Sequence, residues 1–227
     1  MSNQDPNQDP DHDHHHDHDH PGTAKDEGAP SYYAILEISL RELLIEAGLI
    51  TADEHRRRIE ILDSRSPALG AKVVARAWVD PAFKKRLLED GSAACEELGV
   101  TMYDNTRLIV HENTDRLHNV VVCTLCSCYP RPVLGLPPDW YKNKQYRARV
   151  VKEPRAVLKE FGTAIPEEVE IRVHDSNANM RYLILPARPA GSERLTEAEL
   201  AALVTRDAMI GVTTVKPPAS GGKGARA

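Results

Sequence analysis

Cys123-Thr124-Leu125-Cys126-Ser127-Cys128 places three thiols within six residues, directly after the apolar run Val120-Val121-Val122 and before Tyr129-Pro130-Arg131-Pro132. Thiolates are soft, strongly donating ligands, and a C-x-x-C-x-C spacing can turn all three toward one metal ion. So short a loop must wrap the ion, which brings the peptide nitrogens of Ser127 and Cys128 within reach. Deprotonated, those nitrogens would complete a square of two N and two S donors, with the third sulfur axial. Such a strong field suits low-spin Co(III) or Fe(III) and leaves one position open for substrate or water. Other chemistries compete. Structural zinc normally takes four side chains, in pairs divided by a long loop. An iron–sulfur cluster wants a fourth cysteine, and the remaining one, Cys95, lies in a predicted helix. A C-x-x-C redox pair lacks its strand-then-motif-then-helix context. Spacing alone leaves the metal claw and these alternatives open.

The elements around the loop must hold it. Arg107–His111 and Asn119–Val122 read as strands, the second delivering the cysteines at its end, where scaffold-held loops usually carry reactive groups. Upstream the period is helical. Tyr32 to Ala47 spaces Ile35, Leu36, Leu40, Leu43 and Leu44 on one face and stops at Gly48. Thr51 with Glu54 forms a capping box for a helix to about Ser64. Pro67 starts a helix through Val79, and Asp80-Pro81 caps another carrying Phe83, Leu87 and Leu88. Cys95 reads as a small apolar core residue. Downstream, Pro137-Pro138 opens a helix through Val151, and Pro154 opens another ending at Gly162. Val169–Val173 and Arg181–Leu185 read as a hairpin-like pair of strands, Thr196 with Glu199 caps a helix, and Ala208–Val215 reads as a final strand. His55, His111, His118 and His174 have no metal-ligand spacing and read as structural or surface residues. The fold class is α+β: a helical N-terminal arm followed by a layered α/β domain carrying the metal loop.

These residues also carry a resemblance. Val120 through Pro130 is similar to the metal loop of the nitrile hydratase α subunit. The likeness continues through Val133-Leu134-Gly135-Leu136-Pro137-Pro138-Asp139-Trp140-Tyr141-Lys142, Tyr146–Val151, Glu153-Pro154-Arg155, Glu170–Val173, Arg181-Tyr182-Leu183, Arg188–Gly191 and Thr205–Val212. Threonine at 124 resembles the cobalt-type members, since iron-type members carry serine there. The thiocyanate hydrolase catalytic subunit shares the loop.

The resemblance implies one Co(III) per subunit, with Fe(III) the second choice. Cys123 would be the unmodified axial thiolate, Cys126 a sulfinic acid and Cys128 a sulfenic acid, with Ser127 and Cys128 giving amide nitrogens. Metal binding makes thiols thiolates, which makes later oxidation chemically reasonable. The implied activity is hydration of a nitrile to an amide. The Cys128 oxygen would act as nucleophile or base, Ser127 would orient it, and Tyr129 and Arg131 would line the substrate pocket. The implied partner is a β-type subunit in a heterodimer or higher heteromer, its arginines bonded to the oxidised sulfurs, with an activator or metallochaperone loading the metal. The implied organisation is a disordered His/Asp-rich tail over 1–30, a partner-contacting helical arm over 31–100, the metal-binding catalytic domain over 101–215 and a flexible tail over 216–227.

Two departures stand out. Nitrile hydratases usually carry tryptophan where this chain has Arg131, and thiocyanate hydrolase resembles this chain there. Arginine suits an anion or a polar substrate and spoils an apolar wall. The glutamine many members place upstream has no match in Tyr103-Asp104-Asn105-Thr106. The alternatives are therefore a thiocyanate hydrolase-like subunit, releasing carbonyl sulfide and ammonia, and a non-enzymatic metal-binding or delivery protein.

Composition narrows the rest. With 227 residues and 41% hydrophobic content the chain can bury one or two modest cores. Its net charge of −5 is concentrated in the first residues, and dispersed basic residues with two Phe and two Trp argue against a nucleic-acid surface. No membrane span or signal peptide is evident, and one loop holding three of four cysteines is no disulfide framework, so the reading is cytoplasmic. The opening stretch holds His12, His14, His15, His16, His18 and His20 among aspartates. Alternating imidazole and carboxylate binds divalent Co, Ni or Zn loosely, an auxiliary metal-gathering capacity.

Overall fold

The computed structural model describes residues 30–102 and 106–218. The histidine-rich stretch from His12 to His20, the upstream positions Tyr103, Asp104 and Asn105, and the end of the C-terminal tail lie outside the described residues. The chain divides into two compact units, the first ending at His55 and the second beginning at Arg56.

The first unit is built on α1 (Tyr32–Glu46). Ser31 caps it, its hydroxyl accepting from the Ala34 N–H at 3.2 Å, and Gly48 leaves it at φ +68°. The expected apolar stripe is present, but Ile35, Leu36, Leu40 and Leu43 are all more than half exposed. α2 (Ala52–Asp63) starts in this unit on the predicted capping box. The Glu54 N–H donates to Thr51 Oγ1 at 3.1 Å, and the Thr51 N–H returns to the Glu54 carboxylate at 2.8 Å.

The second unit holds α3 (Pro67–Val79), α4 (Pro81–Glu89) and α5 (Gly91–Glu96). Aspartates start the last two: Asp80 accepts from Ala82 and Phe83, and Asp90 accepts from Ala93. Sequence reading places these helices in the arm, with a boundary at residue 100. They instead share a core with the strands, because Val73, Val74, Phe83, Leu87 and Cys95 are apolar faces that only this unit buries. Gly91 lets the Leu108 carbonyl approach to 2.6 Å of where a Cβ would stand.

Four strands, β1 (Arg107–Glu112), β2 (Leu117–Val122), β3 (Glu170–Asp175) and β4 (Met180–Leu185), form two parallel pairs, β1 with β4 and β2 with β3. The expected hairpin between the last two strands is corrected. Asn177 accepts from the Asn179 and Met180 N–H groups at 3.0 Å, and this polar turn carries the chain from one sheet to the other. The reason is burial: Val120-Val121-Val122 on β2 and Leu183-Ile184-Leu185 on β4 are continuous buried runs of the kind parallel pairs carry. β2 and β3 are joined by α6 (Arg131–Leu134), α7 (Asp139–Lys142), α8 (Lys144–Lys152) and α9 (Pro154–Glu160). The single helix expected from Pro137 to Val151 breaks at Asn143, where ψ is 131° and the side chain caps α8 through the Gln145 N–H at 2.7 Å.

α10 (Glu197–Leu203) begins on the predicted Thr196–Glu199 box. The final strand expected from Ala208 is a helix, α11 (Arg206–Ile210). Thr205 caps it and Gly211 ends it at φ +89°. A short apolar run has no period that separates strand from helix, and the caps decide. Gly211 also lies against β2, where a Cβ would stand 2.0 Å from the Asn119 carbonyl oxygen.

A buried polar network ties the strands together. The Asn119 amide donates to the Glu112 carbonyl at 2.8 Å and accepts at 2.8 Å from His174 Nε2. Asn113 accepts from the Asn119 N–H at 2.7 Å and meets His118, whose other nitrogen bonds the Gly211 carbonyl at 2.7 Å. The His111 and His174 rings stack with centroids 3.9 Å apart. Among the described residues no helix is long and apolar enough to cross a membrane.

Candidate metal centre

The cysteine loop leaves the carboxyl end of β2, where Val122 pairs with Asp175 of β3. Crevices beyond the carboxyl ends of parallel strands are where such folds bind ligands. Strand register therefore puts the Asp175 carboxylate beside the loop. One oxygen accepts from the Thr124 N–H at 2.9 Å and the other from the Thr124 hydroxyl at 2.5 Å. The other side of the loop is held from α7 and α8. Tyr141 donates its hydroxyl to the Cys128 carbonyl at 2.8 Å, and Arg147 Nη1 donates to the Cys126 carbonyl at 3.0 Å. Tyr146 reaches the Val121 carbonyl one strand residue earlier, at 2.8 Å. Carbonyls pulled outward leave the intervening amides free to turn in.

The three sulfurs converge, all lying within 4.8 Å of one another. Cys123 and Cys126 sulfurs are 3.3 Å apart and Cys126 and Cys128 sulfurs 3.1 Å. A disulfide would bring a pair to about 2.05 Å. Two sulfurs each ~2.3 Å from one ion stand ~3.3 Å apart at a right angle and ~3.8 Å apart at the tetrahedral angle. The sulfurs are therefore unbonded and close enough for one ion to reach all three. The amide groups agree: the Cys126 N–H donates to the Cys123 sulfur at 3.2 Å. The Cys126 thiol is held below its ordinary value, first by the Cys128 and Cys123 thiols and then by the Cys128 and Ser127 N–H groups. Burial, with Cys126 beside it, pushes Cys128 up to about 12, against an opposing pull from the Arg181 charge. Cys95 is apart from this cluster, and burial pushes its thiol up to about 12, as expected of an inert core cysteine.

Cys123 is fully buried, Cys126 exposed and Cys128 half-buried, so the cluster has one protected and one open side. The open side is a cavity of about 310 Å³ lined by Cys126, Ser127, Cys128, Tyr129, Arg131 and Arg181. Arg131 is exposed on α6, whose Val133 and Leu134 are buried. That helix packs against α3 at Gly70, where a Cβ would stand 2.9 Å from the Val133 carbonyl oxygen. Tyr129 is 3% exposed, its ring edge-on to Tyr141 at 5.1 Å, so it forms the floor of the cavity.

The structure therefore gathers Cys123, Cys126, Ser127, Cys128, Tyr129 and Arg131, all singled out from sequence. Reading by motif missed the roles of Arg147, Tyr141 and Arg181, although all three lie in the stretches of resemblance. Asp175 lies outside those stretches, and only the β2–β3 register reveals it.

Comparison with known proteins finds one family match and relatives of two named activities. Residues 31–213 match the family described as nitrile hydratase, alpha chain. The cobalt-containing nitrile hydratase subunit alpha of Pseudonocardia thermophila is 55% identical over 78% of this chain and 88% of its own length. Thiocyanate hydrolase subunit gamma of Thiobacillus thioparus is 47% identical over 82% of each chain. Among solved structures, recombinant thiocyanate hydrolase comprising partially modified cobalt centres aligns with TM-score 0.76 at 42% identity, covering 84% of this chain and 95% of that one. A double mutant of the Fe-type nitrile hydratase from Comamonas testosteroni aligns with TM-score 0.73 at 44% identity, covering 83% of this chain and 94% of that one.

Proposed function

The chain belongs to the nitrile hydratase alpha-chain family, and from that premise we propose that it is the metal-carrying α subunit of a cobalt nitrile hydratase, converting nitriles to amides. The observation that carries this reading is the convergence of the Cys123, Cys126 and Cys128 sulfurs beyond the carboxyl end of β2. Those three sulfurs and the Ser127 and Cys128 amide nitrogens would hold one Co(III). The ion supplies Lewis acidity at the site's open position, toward the cyano group or water.

The chain's own groups do the rest. Cys126 as a sulfinic acid and Cys128 as a sulfenic acid present oxygens to the cavity that Arg131 and Arg181 also face. The Cys128 oxygen attacks the cyano carbon or takes a proton from the attacking water. Ser127 orients that oxygen. Asp175, Tyr141 and Arg147 position the loop so that its amides stay turned inward. The exposed apolar stripe of α1 meets a β-type partner subunit, giving a heterodimer or larger heteromer. Residues His12 to His20 bind divalent cobalt loosely, as an auxiliary site; unchanged cobalt incorporation at limiting cobalt after deletion of residues 1–28 would show that this binding is incidental and plays no part in loading.

The deciding experiment is intact and peptide mass spectrometry with metal analysis on protein co-expressed with its β-type partner in cobalt. The expected result is one cobalt per chain, added oxygens on the peptide carrying Cys126 and Cys128, and amide formed from a neutral nitrile. Zinc with unmodified cysteines would sink the proposal in favour of metal binding or delivery. A second reading, thiocyanate hydrolysis, is favoured by Arg131, and carbonyl sulfide among the products would identify it.

A further inference from the structure

Behind the floor of the cavity, three buried polar atoms stand without a hydrogen-bond partner among the described residues: Tyr129 Oη, Arg206 Nε and Asp207 Oδ1. Buried polar groups are nearly always paired, so three orphans in one neighbourhood need a physical cause. Arg206 Nε and Asp207 Oδ1 lie 3.5 Å apart, beyond ordinary hydrogen-bond length. Burial pushes the Tyr129 hydroxyl up, the Arg206 charge opposes that and the Asp207 charge adds to it, so both charged groups act on the phenol. Tyr129 is 3% exposed. The Arg206 and Asp207 side chains are each 35% exposed, but these two atoms are turned inward. The mounts are fixed. Tyr129 follows Cys128 directly. Arg206 and Asp207 open α11, whose Ala208, Met209 and Ile210 are buried, and the side chain that caps this helix is Thr205 and not Asp207. The donors and acceptors select the occupant. Arg206 Nε can only donate, the Asp207 carboxylate can only accept, and the phenol can do either. An anion would face the carboxylate, and a cation would face the guanidinium. Water is neutral, donates and accepts, and about three partners is the usual number for a buried water.

We propose that one buried water joins Tyr129 Oη, Arg206 Nε and Asp207 Oδ1, and that through it Arg206 and Asp207 are positioning residues for the cysteine loop. The water accepts from Arg206 Nε–H and from the Tyr129 hydroxyl and donates to Asp207 Oδ1. Held in this way, the Tyr129 ring keeps its edge-on contact with Tyr141, whose hydroxyl fixes the Cys128 carbonyl. The loop is thus held from α11 as well as from β3, α7 and α8. The kinetic consequence rests on the nitrile hydratase reading, which this deepens; the water site itself does not depend on the reaction.

Two measurements on the cobalt-loaded complex with its partner subunit test this. The first is a high-resolution crystal structure of the wild type. The expected result is an ordered water within hydrogen-bond distance of all three atoms. A direct bond from Tyr129 to Arg206 or Asp207, or three dry atoms, overturns the site. The second is kcat and KM for propionitrile, with cobalt content and the visible cobalt–thiolate absorption band. The variants are Tyr129→Phe, Arg206→Ala, Asp207→Ala, Asp207→Asn and the double variant of Tyr129→Phe with Asp207→Ala. A loosened loop lowers kcat by about 10-fold in each phenylalanine or alanine single variant, with KM and cobalt content unchanged and the band shifted. Asp207→Asn keeps an acceptor oxygen and recovers most of the loss. The double variant is no worse than the worse single, because both changes remove one shared link. Additive losses, an unchanged kcat and band, or a fall in cobalt content with normal kcat per cobalt overturn the positioning role. Tyr129→Phe removes only a hydroxyl, so it keeps the test decisive where an alanine variant does not fold. If the wild type turns over no nitrile, the water and the band decide. Both as expected leaves the positioning role standing and overturns nitrile hydration, whereas an absent water or an unshifted band overturns both.

Discussion

At the scale of single residues, the cysteine loop is a small cage whose walls come from elsewhere. With Cys128 in the proposed role of the ligand beside the open position, Cys128→Ser is expected to retain some cobalt while turnover falls below about a thousandth of wild type. Metal analysis beside an amide assay checks this, and full activity would refute the role. Asp175 acts differently. It touches no reacting atom, but it grips both the amide and the hydroxyl of Thr124. Asp175→Asn keeps the shape but removes the charge and replaces the oxygen facing the Thr124 hydroxyl by an amide donor, so two charge-assisted bonds become weaker neutral ones. Loss of positioning should lower kcat by about 10-fold with cobalt content unchanged. A fall in cobalt content with normal kcat per cobalt would instead make it an assembly residue.

At the scale of elements, β2 is the central piece, because it carries the loop at one end and the buried polar network along its length. Gly211, which ends α11, lies against it. Gly211→Ala would drive a Cβ to 2.0 Å from the Asn119 carbonyl at φ +89°, and both terms are unfavourable. A loss of about 3 kcal/mol or more is expected, read as a lower denaturation midpoint. The same network sets a pH response. His174 is pushed down to about 4, first by burial and then by the facing His111 and Arg172 charges, with Asn119 and Tyr182 as its uncharged neighbours. The unfolded imidazole titrates near 6.5, so the folded state binds fewer protons across that window. Stability from this group is complete above pH ~6.5 and declines as pH falls toward 4. Half-burial lets solvent screen part of it, so ~1–2 kcal/mol is expected. Thermal melts from pH 7 to 4 measure it, and His174→Gln should flatten the slope.

At the scale of the whole molecule, the two compact units differ in what they bury. The second closes its own core over the strands. The first exposes a stripe of large apolar side chains along α1. Changing Leu36, Leu40 and Leu43 together to aspartate should leave helicity and the metal loop intact. Association with the proposed β-type subunit should weaken by roughly a thousandfold or more, since each buried leucine contributes about 1.5–3 kcal/mol. Co-purification reads the association, and unchanged co-purification would assign the stripe another role.

Much of this was legible in the sequence. Three cysteines at fixed short spacing converge because so few peptide bonds leave them little choice. Caps such as Thr51–Glu54, Asp80-Pro81 and Thr196–Glu199 are local hydrogen bonds written in adjacent residues, so the helices they start could be placed within a residue or two. The loop's membership in its family was readable for the same reason. Strand partners were not, because pairing depends on which apolar faces meet across the core. The last two strands therefore read as a hairpin, and each instead lies parallel to an earlier strand. The Ala208–Val215 run could not be assigned by periodicity, and the turn at Gly211 decided it. Asp175 at the loop and Arg181 at the cavity are tertiary facts of the same kind. Asp175 is brought there by the β2–β3 register and Arg181 by the packing of β4 near β2, each across some fifty residues of intervening chain, a distance over which no local pattern carries information.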